Sequence, residues 1–373
     1  MKIPDSISKE IQAAAEIQQQ LFALKEPQNE ELSKKIFSII DEKLLPLSQI
    51  VHSFLVASEH RILLTPHLVG FLKSLISIRN EILPEVKIHL LHSFIQPALI
   101  HNPHCFFLRQ CMDNGILTPE EVVQQIRYFY MMRPSNPERL FTSICWFAPE
   151  IESLDKELFD TIMTMMAICA QSGMLHEVFL SFFNIYGPLH SNNWEILKSC
   201  LSFGFNPDKY AIIIAHDDVE RLKQDKDLDP NFLIPVCIFD CTRMLDAKPP
   251  LIHVAAFFGA EKCFDYLISK GSDPKLTTSK WMTLAQYAFA GGNSNIISKV
   301  LKMDISFNGI YEICAKFHRN ELFDYLVQNH IKCCDINPYQ IVFTQCAASN
   351  NISLMLKCLE KDININEADH IYY

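Results

Sequence analysis

PLIHVAAFFGAEKCFDYLISKGSDP, residues 250–274, decides the fold, because TLAQYAFAGGNSNIISKVL at 283–301 repeats it. Ala255 falls on Ala288, Gly259 on Gly292, and Leu267 and Ile268 on Val300 and Leu301, each 33 residues on. ICAKFHRNELFDYLV (313–327) carries Cys314, His318 and Leu326 to the same positions after 26 residues, and CAASNNISLMLKCL (346–359) carries Ala347, Asn351 and Leu359 there after another 33. A small residue, a Gly four later and then an apolar pair describe a helix–turn–helix unit that cannot bury its own apolar face and must stack on copies of itself. Ala lets the first helix lie close to its neighbour. Gly reverses the chain in a backbone conformation that other residues resist. The apolar pair of the second helix fills the space between units. Equivalent positions are thus expected at spacings of 33, 26 and 33, with Ala255 and Ala288 buried in first helices.

This stretch resembles the ankyrin repeat. Pro250, Ile252, His253, Ala255, Ala256, Gly259, Leu267, Ile268, Gly271 and Asp273 stand where that repeat's Pro-Leu-His, Ala-Ala, Gly, Leu-Leu and Gly-Ala-Asp motifs fall, with Pro250 and Leu251 in slightly altered order. In the later units Gln286 replaces the His, and His318 and Asn351 replace the turn Gly. The resemblance gives His253 a structural role, bonding backbone near a hairpin finger, and the 26-residue spacing implies that the finger between Leu301 and Ile310 is trimmed. Upstream, Gly204-Phe205-Asn206-Pro207 is similar to a repeat ending. AIIIAHDDVERLK (211–223) is similar to a helix pair turning at Asp217, and Asp229-Pro230-Asn231 to its close. With about 200 residues before it, the arrangement also resembles a multigene group of ankyrin proteins of unicellular eukaryotes, whose upstream domain has no assigned function.

Those upstream residues read almost wholly as helix. Leu32, Ile36, Ile39 and Ile40 share a face, as do Leu68, Leu72, Leu75 and Ile76. Thr118-Pro119-Glu120-Glu121 is a helix start with cap, first-turn Pro and a Glu three on from the cap. A further helix is expected to begin at Ser153, and about eight to ten helices are expected before residue 205. The fold class expected is therefore all-α. A helical N-terminal domain (1–204) precedes an ankyrin-repeat α-solenoid (205–373) of about five units, the first and last imperfect, with short or degenerate β-hairpin fingers.

Composition bounds the function. In 373 residues, 49% are apolar and 20% charged, so the chain folds around a sizeable core. A formal charge of −10 repels phosphate backbones, so no nucleic-acid partner is expected. Residues 161–175 are uncharged but shorter than the roughly 20 residues of a bilayer span; they read as a buried helix, and no membrane span is expected. Thirteen cysteines, odd in number and without regular spacing, fit a reduced compartment, cytoplasmic with the nucleus as alternative. No phosphate-binding Gly loop, nucleophile elbow or zinc-protease motif occurs. His101, His104, Cys105 and Cys111, or Cys237 and Cys241, lack a second ligand pair at sensible distance, so no metal or other cofactor is expected. His89 and His92 share a helix face among apolar neighbours and read as packing. Cys333-Cys334 after His330 falls between two units and reads as non-catalytic.

In the ankyrin repeat the inner helices and fingers form a concave face that meets partners. The resemblance maps Lys280 and Trp281 to a finger tip, Phe258 and Phe317 to the residue before the helix turn on that face, and Tyr339 and Gln340 to the last finger. Exposed aromatics there are the usual energetic centres of interfaces. The function implied is non-enzymatic protein–protein interaction with an unidentified partner, its oligomeric state open. The alternatives are an enzyme hidden in the N-terminal domain and a module that assembles by stacking its last unit on another chain.

Overall fold

The computed structural model describes residues 5–93, 103–132, 137–242, 244–329, 337–361 and 363–365. Among them the chain is all helix and loop, with a single isolated bridge between Leu233 and Pro250. It forms two compact units: Gln20–Pro207 with Val236–Asp246, and Met1–Gln19 with Asp208–Pro235 and Ala247–Tyr373.

The second unit holds five helix pairs in chain order: α12 (Lys209–Ala215) with α13 (Val219–Gln224), α14 (Leu251–Phe258) with α15 (Glu261–Ser269), α16 (Leu284–Gly291) with α17 (Ser294–Val300), α18 (Ile310–Lys316) with α19 (Asn320–Gln328), and α20 (Pro338–Ala348) with α21 (Ile352–Leu359). First helices stack on first helices, α12 on α14 on α16 on α18 on α20. Each pair turns on one residue at positive φ: Asp217 (50°), Gly259 (70°), Gly292 (80°), His318 (51°) and Asn350 (53°). Their spacings are 42, 33, 26 and 32.

The last spacing corrects the reading by one residue. Asn350 makes the turn, and Asn351 instead caps α21, its side chain accepting from the Leu354 N–H. Two adjacent Asn both tolerate the left-handed region, and only one of them is free to leave it for a cap. Cys346, closed to solvent, thereby takes the place expected of Ala347, which is exposed. Four residues before each later turn stand Ala255, Ala288, Cys314 and Cys346, all fully buried, and eight after it stand Leu267, Val300, Leu326 and Cys358, also fully buried.

Gly291 explains how closely the first helices approach. A Cβ there would lie 2.3 Å from the Ala256 carbonyl oxygen and 2.6 Å from that of Phe257, so α14 and α16 meet backbone to backbone. The turns are also stitched across pairs. Asn293 donates to the Gly259 carbonyl (3.3 Å), Arg319 to that of Ala290 (2.9 Å) and to Gly291, and Asn351 to that of Ala315 (2.8 Å). Each satisfies carbonyls that the end of a preceding first helix leaves unpaired. At the front, the Asp217 carboxylate accepts from the Lys262 and Cys263 N–H groups.

The first unit contains α2 (Glu30–Asp41), α3 (Leu47–His60), α4 (Thr65–Ile78), α5 (Leu83–Ser93), α6 (Pro103–Asp113), α7 (Pro119–Met132), α8 (Pro137–Leu154), α9 (Lys156–Gln171), α10 (Glu177–Asn184) and α11 (Tyr186–Leu201). With α1 (Asp5–Phe22), eleven helices precede residue 205 among the described residues, one more than the upper expectation. The reciprocal cap of Thr118 and Glu121 opens α7 as its residues specify. The helix expected from Ser153 starts later, because Asp155 is the better cap and accepts from the Leu158 N–H. α9 buries one face only. Ile168 is exposed, as is Met174 beyond the helix end, so 161–175 is an amphipathic segment and not a buried helix.

The long connection between the first two helix pairs accounts for the 42-residue spacing. Its stretch 236–246 belongs to the first unit. There the Phe239 ring meets Trp146 edge-on at 5.8 Å, and buried Asp240 accepts from the Asn206 N–H at 2.7 Å.

Candidate functional site

The finger between α15 and α16 is built from Thr278 to Met282. Thr278 N–H donates to the Met282 carbonyl, and the Trp281 N–H returns to the Thr278 carbonyl at 2.9 Å. Ser279 fastens the finger by donating its N–H and its hydroxyl to the Ala247 carbonyl, at 2.9 and 2.8 Å. The Thr278 hydroxyl accepts from the Lys280 and Met282 N–H groups. On this braced turn Trp281 sits at φ 59° with its side chain 81% exposed. A left-handed tryptophan costs roughly 1–2 kcal/mol of backbone energy. Leaving the indole in water forgoes its burial as well. Lys280 beside it is exposed too.

The other aromatics divide. Phe258, the last residue of α14, is half-exposed, with the Phe257 ring 5.4 Å away. Phe317 is buried, its ring 6.1 Å from that of Phe257. The array's own packing therefore uses Phe317, which a position before a turn does not reveal. Tyr339 and Gln340 lie in the first turn of α20 and not in a finger, because Asn337 caps that helix and Pro338 starts it. Tyr339 packs edge-on against Phe323 at 5.4 Å. Gln340 exchanges two bonds with the Asn364 backbone.

The residues of the repeat signature hold the face rigid. His253 is closed to solvent, edge-on to Tyr287 at 5.0 Å, and burial pushes its pKa down to about 3. Gly271 is left-handed after α15. The Asp273 N–H donates to the Asn231 side-chain oxygen, and the Asp273 carboxylate accepts from the Lys275 N–H, each at 2.9 Å. Gln286 closes a reciprocal cap with Thr283 and reaches the Asn308 carbonyl at 3.0 Å.

Residues 252–301 match the family described as ankyrin repeats (many copies). The chain carries ankyrin repeats. Residues 278–358 match a domain of unknown function (DUF3447). The match to an uncharacterised domain falls within the array. No curated protein matches the chain. Ankyrin repeats support a general role in protein–protein interaction and imply protein partners. Among the described residues no single helix is long and apolar enough to cross a membrane; a pair covering 62–93 passes such a test only together, bent by 114°.

The first unit has a cluster that the sequence did not announce. Glu152 at the end of α8 accepts from the Trp194 indole N–H at 2.8 Å and lies 3.1 and 3.2 Å from His190 Nε2. Tyr186 stacks on the His190 ring at 5.3 Å. Between His190 and Trp194 the backbone of Asn192, Asn193 and Trp194 is left-handed at three successive residues. Only the paired Asn hinted at it. Strain of this kind persists where surroundings over-determine it, here the two contacts converging on Glu152. His104, half-buried and near His52, has its pKa pushed down to about 4 by desolvation, and Cys105 and Cys111 are buried. His89 is half-buried beside Glu85 and His92 is exposed. His101 and the His330–Cys334 stretch lie outside the described residues. Among the described residues no three His, Cys, Asp or Glu side chains are grouped to hold a metal.

Proposed function

We propose that the array is a non-enzymatic, cytoplasmic scaffold that seats a partner protein on its inner helices and fingers, with Trp281 as the central contact and Lys280 and Phe258 beside it. One observation carries this reading: Trp281 is both left-handed and 81% exposed, two costs at one residue, on a finger braced by Ser279 and Thr278. A tip fixed in this way loses little freedom on binding, so the indole's burial goes into affinity. Phe317 no longer belongs to the contact set, and Tyr339 and Gln340 lie at its edge.

The test is a tagged pull-down from the native cell type with wild-type chain and Trp281→Ala, read by quantitative mass spectrometry. A partner retained by the wild type and reduced about thirtyfold by the variant, a change of about 2 kcal/mol, with an unchanged melting temperature, is expected. Equal recovery of every retained protein would remove Trp281 from the site.

A further inference from the structure

Lys248, Trp281 and Phe307 hold one place in three successive helix pairs. Each stands three residues before a first helix, α14, α16 or α18. Those helices stack in that order, so the three residues form a row along the array. Lys248 and Trp281 are both left-handed, at φ 52° and 59°. Their turns are laced together where the Ser279 N–H and hydroxyl meet the Ala247 carbonyl. The third turn is tied to α16 by Gln286, which donates to the Asn308 carbonyl at 3.0 Å. Trp281 and the adjacent Lys280 are exposed, and Lys248 and Phe307 are half-exposed. The row thus runs from cation to indole to phenyl on turns already fixed to one another.

This row lies in a basic island. Residues 274–303 hold four lysines and no carboxylate. Residues 247–316 hold eight lysines against five carboxylates, a net charge of +3 in a chain of −10. We propose that the row docks an acidic, extended segment of a partner protein, whose carboxylates meet Lys248 and Lys280 and whose apolar side chains cover Trp281 and Phe307. This rests on the reading of Trp281 as a partner contact, and it specifies the chemistry of that partner.

The chain's own negative charge does not oppose such a segment. At physiological salt a charge is screened beyond roughly 8 Å. A short segment on the row therefore feels the island and little of the acidic remainder. A long phosphate polymer, running past the island, meets that remainder. A basic segment is repelled by the island itself. A wholly apolar one would press the two ammonium groups against atoms that cannot solvate them. Covering the aromatic rings supplies affinity, while the lysines, gathered toward one end of the row, draw the segment in and set its direction.

The experiment selects a displayed library of short random peptides against the full chain and reads the enriched sequences. These should be net negative and carry apolar residues. A synthetic peptide of the enriched sequence should bind Trp281→Ala about thirtyfold more weakly. It should bind Lys280→Glu about tenfold more weakly at low salt, with the loss shrinking at high salt. Enriched peptides that need Trp281 but are neutral or basic would overturn the acidic partner and leave Trp281 as a contact. Acidic peptides that bind Trp281→Ala as tightly as wild type would remove the row and the tryptophan together. A library without enrichment would overturn the proposal, as would polyphosphate binding to the row as tightly as the peptide. If Trp281→Ala fails to fold, the charge of the enriched peptides and their response to Lys280→Glu still decide.

Discussion

The ankyrin array and the helical unit are both α-helical, yet they are held together in different ways. The array applies one solution repeatedly. A small residue and a left-handed turn recur at Gly259, Gly292, His318 and Asn350, and a carbonyl-capping side chain reaches back to the first three. The helical unit uses each solution once: one Trp146 between Phe106 and Phe239, one Arg109–Glu150 pair at 2.8 Å, one left-handed turn clasped by Glu152. Repetition tolerates decay, because His or Asn can replace Gly at a turn whose neighbours are intact. Unique contacts have no such reserve.

Acid should separate the two regions most widely. His253 and His318 in the array have pKa values pushed down by burial to about 3 and about 4. The unfolded chain takes up their protons first, so their contribution is complete above pH 6.5 and falls as pH drops toward 4. Each loses about 1.4 kcal/mol per pH unit in that window. In the helical unit His104 has the same sign, but buried Asp240, raised to about 8, has the opposite one. Its folded-state preference for the proton adds stability as pH falls from 8 toward 4. The array should therefore lose about 4 kcal/mol between pH 6.5 and 5 while the helical unit changes little. Limited proteolysis at both pH values, with cleavage sites mapped, checks this; equal loss of protection in both units would break the contrast.

Within the array, Ala288→Asp should cost about 3 kcal/mol or more, placing a charge without a partner where α16 meets its neighbours. A midpoint of urea unfolding equal to wild type would show that the first helices do not pack through this position. Gly259→Ala is the milder control: a Cβ there meets Asn293 at 3.4 Å, an ordinary contact, and only the left-handed backbone resists it.

In the helical unit, Arg109→Met leaves the Glu150 carboxylate behind in a nearly closed site. A loss of about 2 kcal/mol is expected, below that of a fully buried pair because an edge of Glu150 reaches water. Adding Glu150→Leu should recover most of it. Failure of the double variant to recover would mean that the pair is not an isolated contact and that the unit's interactions are coupled.

The same difference governs what could be read from the chain. Ala255, Gly259, Ala288 and Gly292 were legible because recurrence at a fixed spacing is itself a signal. The final turn slipped by one residue where Asn350 and Asn351 offered no Gly to fix it. Gly291 hid beside Gly292, because a close backbone approach has no period of its own. Arg319 and Asn293 follow their turns as ordinary polar residues, and only the stacked geometry shows them reaching back to a preceding helix. In the helical unit helix faces were readable from apolar spacing. The convergence of Glu152, His190 and Trp194 was not, since residues some forty positions apart share no local pattern.

Trp281 lies exposed on the finger, and the smallest predicted effect tests the role proposed for it. Trp281→Gly removes the side chain and places at φ 59° the residue that adopts it freely. A structural tryptophan would lose its burial and destabilise the fold. An exposed one has no burial to lose, so relief of the left-handed backbone, offset by the greater freedom of Gly when unfolded, should leave stability unchanged or raised by up to about 1 kcal/mol. Ser279 and Thr278 brace the finger through bonds that do not involve the indole, so the loop keeps its shape. Chemical unfolding measures the difference directly, and tryptophan fluorescence follows the buried Trp146 and Trp194 in the same variant. A drop of 1 kcal/mol or more would place the indole in the array's own packing and take the finger out of the partner-binding face.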